Sequence, residues 1–357
     1  MNGRRMVGAA VIAGFTLIGV GEAPGAEEAK PAAETRPAGE VVIEEMRAEA
    51  AGLRGFIVTP LAGSFLDAVA LLSPIPTRTF LRDKDKTRYY TTSEAEKLEA
   101  SARAALESIE LDGAFYYTTR YGTPLAYARP LDLLAGAGLT DIAGKKVLDF
   151  GYGTIGHLKL MAALGADVAG VEVDPMLRAL YSQPGDQGPM PGVKGAAGKQ
   201  GAVRLVHGQF PAEAGVVKEI GEGYDLFLSK NVLKNGYIHP AQPVDPKRLV
   251  HLGVDDAAFV KHVARILKPG GFAMIYNLHP PQNPADKPYI PWADGRCPFA
   301  RELWEGAGLR VLAFDVDDSP AVRTMARALG WDKGEQPMDP EKDLFATYTL
   351  VTRITAP

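Results

Sequence analysis

The chain has 357 residues, 46% of them hydrophobic and 23% charged, with a formal net charge of −4 and a pI near 5.9. That length can bury one large core or two moderate ones, and the mildly acidic balance gives no electrostatic reason for a nucleic-acid substrate, which needs a basic face. The lone Cys297 excludes an intrachain disulfide framework and a cysteine-rich zinc site, and the six histidines form no ligand-spaced pair, so no metal is expected.

Met1 to Arg5 is a basic segment, Met6 to Val20 is apolar, and Gly21 to Ala29 supplies small residues suited to a signal peptidase. Residues 1–26 therefore read as a signal peptide and imply an exported, periplasmic or secreted chain. The alternative is an uncleaved signal serving as a membrane anchor, although the apolar run is short for a span. Residues 27–39, rich in Ala, Pro and Glu, read as a disordered linker. Residues 40–138 predict a small helical cap. Within it, Val41 to Leu53 and Ser93 to Ile109 carry helical spacing, the second with a Thr/Ser-x-x-Glu start of capping-box type and apolar Leu98, Ala102 and Leu106. The aromatic run from Phe115 to Leu134 closes this region.

Lys145 to Pro175 then reads as strand, glycine turn, helix, strand. Val147, Leu148 and Phe150 suit a buried parallel strand, and Gly151 and Gly153 allow a sharp turn that a ligand can approach closely. Tyr152 lies between them. Ile155 to Leu164 continues as a helix that stops at Gly165. Val168 to Val173 gives the second strand, with Glu172 at its end, placed to accept both hydroxyls of a ribose. Gly151, Gly153 and Gly156 with Glu172 also satisfy the dinucleotide fingerprint. Asp149 bears on the choice of cofactor: it would oppose the diphosphate of NAD but face the ammonium and sulfonium of S-adenosylmethionine.

VLDFGYGTIG followed by GVEVDP resembles motif I of the class I S-adenosylmethionine-dependent methyltransferases. Later segments are similar to that family in order: AVRLVHGQFP from Ala202, YDLFLSKNVL from Tyr224, a helix bearing Phe259, Val263, Ile266 and Leu267 that ends at a Pro-Gly-Gly turn, and two final strand-like runs, LRVLAFDV and LFATYTLVTRI. The resemblance implies a Rossmann-like α/β domain over residues 139–357, with a seven-stranded, mostly parallel sheet and an antiparallel last strand. It implies S-adenosylmethionine as cofactor and methyl transfer to a small-molecule or protein acceptor. The competing readings are a non-catalytic exported nucleoside-binding protein and an NAD-dependent oxidoreductase. Export and a methyl donor made in the cytoplasm pull in different directions.

The resemblance also assigns candidate residues. Asp149, Gly151, Tyr152, Gly153, Glu172 and Val173 surround the nucleoside. Gln209 stands where the family often has an acidic residue for the adenine amino group. Ser229 and Asn231 lie at the mouth of the fourth strand, and Tyr117, Arg120 and Tyr121 precede the first strand near the methionine end. Methyl transfer is an in-line displacement that mainly needs alignment. Where a base is required, position nominates His279, His239 and Lys230, with Tyr237 as an alternative. SKNVLKNGY occupies the place of the Asn-Pro-Pro-Tyr signature of base and glutamine methylation, which weakens that substrate class. Gly185 to Gly201 reads as a surface insertion, and Asn277 to Phe299, with Tyr289 and Trp292, as a rigid loop closing over a substrate.

Overall fold

The computed structural model describes residues 36–119, 122–192, 199–334 and 337–355. The signal-like stretch, most of the expected linker, and Arg120 and Tyr121 fall outside them. No helix among the described residues is long and apolar enough to cross a membrane.

The N-terminal region comprises α1 (Ala38–Leu53), α2 (Pro60–Asp67), β1 (Arg78–Arg82), β2 (Tyr89–Tyr90), α3 (Thr92–Ala95), α4 (Ala100–Ala104), β3 (Glu107–Leu111), α5 (Gly113–Thr118) and α6 (Ala128–Gly136). The expected small helical cap also carries a sheet: β2, β1 and β3 form a separate antiparallel sheet in that order. Ser93 to Ile109 is accordingly two short helices and the start of a strand. Its capping box does form: the Thr91 N–H donates to Glu94 Oε2 at 2.8 Å and the Glu94 N–H to Thr91 Oγ1 at 3.2 Å. Beyond it, Ile109 pairs opposite the buried Phe80 of β1, so period-two burial wins over helical spacing.

The chain then alternates through β4 (Lys146–Phe150), α7 (Gly156–Ala163), β5 (Asp167–Glu172), α8 (Pro175–Leu180), β6 (Gly188–Pro189), β7 (Ala202–His207), α9 (Ala214–Ile220), β8 (Tyr224–Lys230), α10 (Asn235–Ile238), α11 (Asp256–Ile266), β9 (Leu267–His279), α12 (Arg301–Gly306), β10 (Leu309–Asp317), α13 (Ser319–Ala328), α14 (Pro340–Asp343) and β11 (Phe345–Arg353). One sheet runs β10-β11-β9-β8-β4-β5-β7-β6. Strands β7, β5, β4, β8 and β9 are parallel, and β11 is antiparallel to both β9 and β10. This is the expected Rossmann-like methyltransferase sheet with one strand more. The eighth, β6, pairs antiparallel with β7 and comes from the segment expected to be a plain surface insertion.

Alternation along the strands builds two cores. Val147, Leu226, Leu228, Met274 and Tyr276 face α1, α2, α6, α7 and α13, whereas Leu148, Phe227, Ala273 and Ile275 face α9, α11 and α12. The cap is fastened to the first of these faces by polar ties. Arg129 of α6 makes a bidentate pair with Asp318, at 2.9 and 2.6 Å, and Tyr276 of β9 donates to the same carboxylate at 2.8 Å. The fully buried Asp186 accepts from Arg78 at 2.8 Å and from the Tyr116 hydroxyl at 2.7 Å.

A third tie reaches the edge of the cleft described below. The Thr123 hydroxyl donates to Glu49 Oε2 of α1 at 2.6 Å, and burial pushes the Glu49 carboxyl up to about 7. A carboxyl raised above its unfolded value favours folding most at low pH, and that contribution is lost as pH rises from about 4.5 to about 7. Glu49→Gln keeps an acceptor for Thr123 and removes the buried charge. It should stabilise the protein at pH 8 by on the order of 2 kcal/mol and change little at pH 4.5 in thermal unfolding. A destabilised variant at pH 8 would contradict this reading.

Candidate active site

A cleft of about 1290 Å³ opens over the C-terminal ends of β4, β5, β7, β8 and β9. It lies where the chain order switches direction about β4, the place where open α/β sheets receive ligands. Its floor is the glycine turn. Gly151 and Gly153 have φ of 72° and 57°, and a Cβ on Gly151 would lie 2.6 Å from the Val232 side chain. Only glycine gives that turn at that distance.

Glu172 fixes the turn to the end of β5. Its Oε2 accepts the Gly153 N–H at 3.2 Å, while Oε1 accepts those of Val173 at 2.8 Å and Asp174 at 3.2 Å. Burial raises the carboxyl above its ordinary range, and the three N–H donors act against that by favouring the ionised form. Val173 is 58% exposed and offers an apolar surface beside it. Gln209 also lines the cleft. Its Nε2 donates to the His251 carbonyl at 2.6 Å, which leaves Oε1 and the second N–H for other partners.

Three expected cofactor contacts sit elsewhere. Asp149 is fully buried and does not line the cleft; its Oδ2 lies 2.8 Å from His157 Nε2. Strand alternation places it on the Val147 face, toward α7, where His157 is its hydrogen-bond partner. Ser229 is likewise buried and donates to the Phe150 carbonyl at 3.4 Å, between two strands. Tyr117 packs the cap, its hydroxyl donating to Ser73 O at 2.7 Å. Its backbone carbonyl instead accepts the Thr154 hydroxyl at 2.7 Å, and the Thr119 hydroxyl donates to Gly153 O at 3.1 Å, so this segment braces the turn. Tyr152 and Asn231 do line the cleft. Asn231, at φ 67°, closes the mouth of β8 by accepting the Leu278 N–H at 2.7 Å.

Of the candidate bases, only Lys230 and Tyr237 line the cleft. His279 points to the other face of β9, where Nε2 lies 3.3 Å from the Thr347 hydroxyl and the ring stacks on Phe345. Its neighbours Leu278 and Pro280 are the ones that reach the cleft. His239 pairs with Asp256 at 2.9 Å and is not part of the lining. Burial lowers Lys230 to about 8, with the Asp149 charge working in the opposite direction, and raises the Tyr237 phenol to about 12.

Two lining residues, Tyr127 and Lys234, went unread in the sequence, whereas Trp292 lies in the loop expected to close over a substrate and does line the cleft. Tyr127 stacks on His157 with ring centroids 3.6 Å apart, and the Lys230 ammonium lies 5.2 Å from its centroid. Lys234, in the turn after β8, donates to the carbonyls of Leu278 at 2.5 Å and Trp292 at 3.2 Å. Burial, then the charge of Lys230, lowers it to about 7. Trp292 is held there by the loop after β9 and carries the Arg248 guanidinium 4.7 Å from its ring centroid. Repeated lysines in a polar turn gave the only sequence signal.

No family model matches the chain, and no curated protein matches it. Among solved structures it is similar to a putative sarcosine dimethylglycine methyltransferase from Galdieria sulphuraria, with 16% identity, a TM-score of 0.34 and coverage of 64% of this chain and 88% of the other. An S-adenosylmethionine-dependent methyltransferase from Methanosarcina mazei gives 13% identity, a TM-score of 0.34, and coverage of 62% and 98%. The 4+2 cyclase SpnF gives 16% identity, a TM-score of 0.36, and coverage of 64% and 81%. These are likenesses of fold; the chemistry of the cleft comes from this chain's own residues.

The lysine environment has a measurable consequence. With folded pKa values near 7 and 8 against an ordinary 10.5, Lys234 and Lys230 hold fewer protons folded than unfolded in that window, so stability rises with pH there. Lys234→Met should flatten the rise in thermal midpoint between pH 7 and pH 9.5 relative to the native chain. Equal slopes would contradict the burial of its charge.

Proposed function

We propose that the protein is an S-adenosylmethionine-dependent methyltransferase. The observation that carries this reading is Glu172, held by three backbone N–H groups at the end of the second parallel strand and directly over a two-glycine turn. A carboxylate accepts about four hydrogen bonds. Three are used, with Oε2 accepting only one of them, so Oε2 keeps a place for one ribose hydroxyl rather than the two expected from sequence. Val173 and Gln209 would hold the adenine, and the Gly151 to Gly153 backbone would receive the sugar and the methionine chain. Asp149 acts from below. It holds His157, and burial, followed by the Asp149 charge, keeps the Tyr127 phenol well above its ordinary range, so that a neutral aromatic wall stands beside Lys230.

S-adenosylmethionine bound there supplies a methyl group already activated by its sulfonium. The chain's own part is alignment and proton handling. Asn231 and Leu278 shape the far wall, and Lys230, lowered to about 8, is fractionally neutral at physiological pH and can accept a proton from an acceptor nucleophile. The N-terminal signal reading completes the proposal: the enzyme acts outside the cytoplasm.

Calorimetric titration tests the cofactor assignment. S-adenosylmethionine and S-adenosylhomocysteine should both bind, and Glu172→Gln should weaken each by about 10- to 100-fold, the value of a hydrogen bond to a charged group. Unchanged affinity in the variant removes Glu172 from the ribose, and absence of binding to the native chain overturns the proposal.

A further inference from the structure

The cleft is larger than one nucleoside needs, since pockets for a single drug-sized ligand run to about 300–1,000 Å³. Its two ends differ in charge. Glu172, Asp174 and Glu213 line the β5–β7 end, whereas Lys230, Lys234 and Arg248 line the β8–β9 end together with Tyr237 and Trp292. Among the described residues, no carboxylate forms an ion pair with any of these three cations.

Lys234 is only 4% exposed and Lys230 only 7%. The buried Asp149 charge favours the Lys230 ammonium, but no carboxylate does so for Lys234, and a nearly buried ammonium is costly unless an anion joins it. The carbonyls of Leu278 and Trp292 occupy two of the three donors of Lys234 without neutralising its charge. Lys234 and Arg248 converge on Trp292, the first on its carbonyl and the second over its ring. A guanidinium laid on an indole keeps its N–H edge available for a bidentate oxyanion.

We propose that the methyl acceptor is a small anionic molecule whose carboxylate or phosphate group is held between Lys234 and Arg248, with its apolar body against Trp292 and Tyr237. This rests on the methyltransferase reading, which leaves the β4–β7 end to the donor and this end to the acceptor. Lys230 then stands between the two, at the reacting centre.

The chain carries its own reporter. It has three tryptophans, and Trp304 and Trp331 are buried in the cores, so Trp292 is the one in the cleft. Inorganic phosphate and, separately, acetate are titrated into the full chain at pH 6.5 and constant ionic strength while tryptophan fluorescence is followed. The titrations are repeated with the chain saturated by S-adenosylhomocysteine. A saturable change is expected with at least one probe, unaltered by S-adenosylhomocysteine and weakened about tenfold in both Arg248→Gln and Lys234→Met. The tighter probe identifies the head group. No saturable change, or a change that both variants retain, overturns the proposal. So does competition with S-adenosylhomocysteine, which would assign the cations to the donor's carboxylate. Failure of S-adenosylhomocysteine to bind in calorimetry is a separate result that bears on the methyltransferase reading itself.

Discussion

The cleft depends on one carboxylate being shared between two strand ends. Glu172 ties the glycine turn after β4 to the chain leaving β5, and without that tie the turn has no partner to hold its shape at the switch point of the sheet. The turn must be tight because Val232, from the loop after β8, closes on Gly151 from the other side. Three parallel strands are thus locked at one point. The cap adds a fourth constraint, with Thr119 and the Tyr117 carbonyl bonded to Gly153 and Thr154.

Above that point, the cleft is divided by electrostatics rather than by a wall. The carboxylates at the β5–β7 end suit hydroxyls and an amine, and the ammonium and guanidinium groups at the β8–β9 end suit an oxyanion. Tyr127 and Lys230 stand at the boundary. Asp149 and His157 support that boundary from a fully buried position, which is why Asp149 shapes the site without entering it. On the proposed reading, a small acceptor brought to this boundary would place its nucleophile close to Lys230, lowered by burial to about 8.

Much of the fold was legible because its signals are local. A buried parallel strand, a two-glycine turn and a closing helix stop each leave a compact imprint, and Gly151, Gly153, Glu172 and Gln209 lie in or beside such segments. The third strand's neighbour, β6, was not legible, since a glycine-rich segment pairs through backbone alone. Side-chain direction was the other loss. His279 and Ser229 were placed by their nearness to strand mouths, but alternation turns both away from the cleft. On β9 the parity is hard to read because the Pro269 to Gly271 turn is absorbed into the strand with a shift in register. Lys234 escaped notice for a different reason: its burial is created by the loop around Trp292, more than fifty residues away.

The proposed function turns on where a nucleoside sits relative to Glu172 and the glycine turn, which a crystal structure of the chain with S-adenosylhomocysteine would show. A ribose hydroxyl is expected on Glu172 Oε2, the adenine against Val173 with its amino group near Gln209, and the sulfur directed toward Lys230 and Asn231. An adenosine lodged at the β8–β9 end, or a ribose without contact to Glu172, would contradict it.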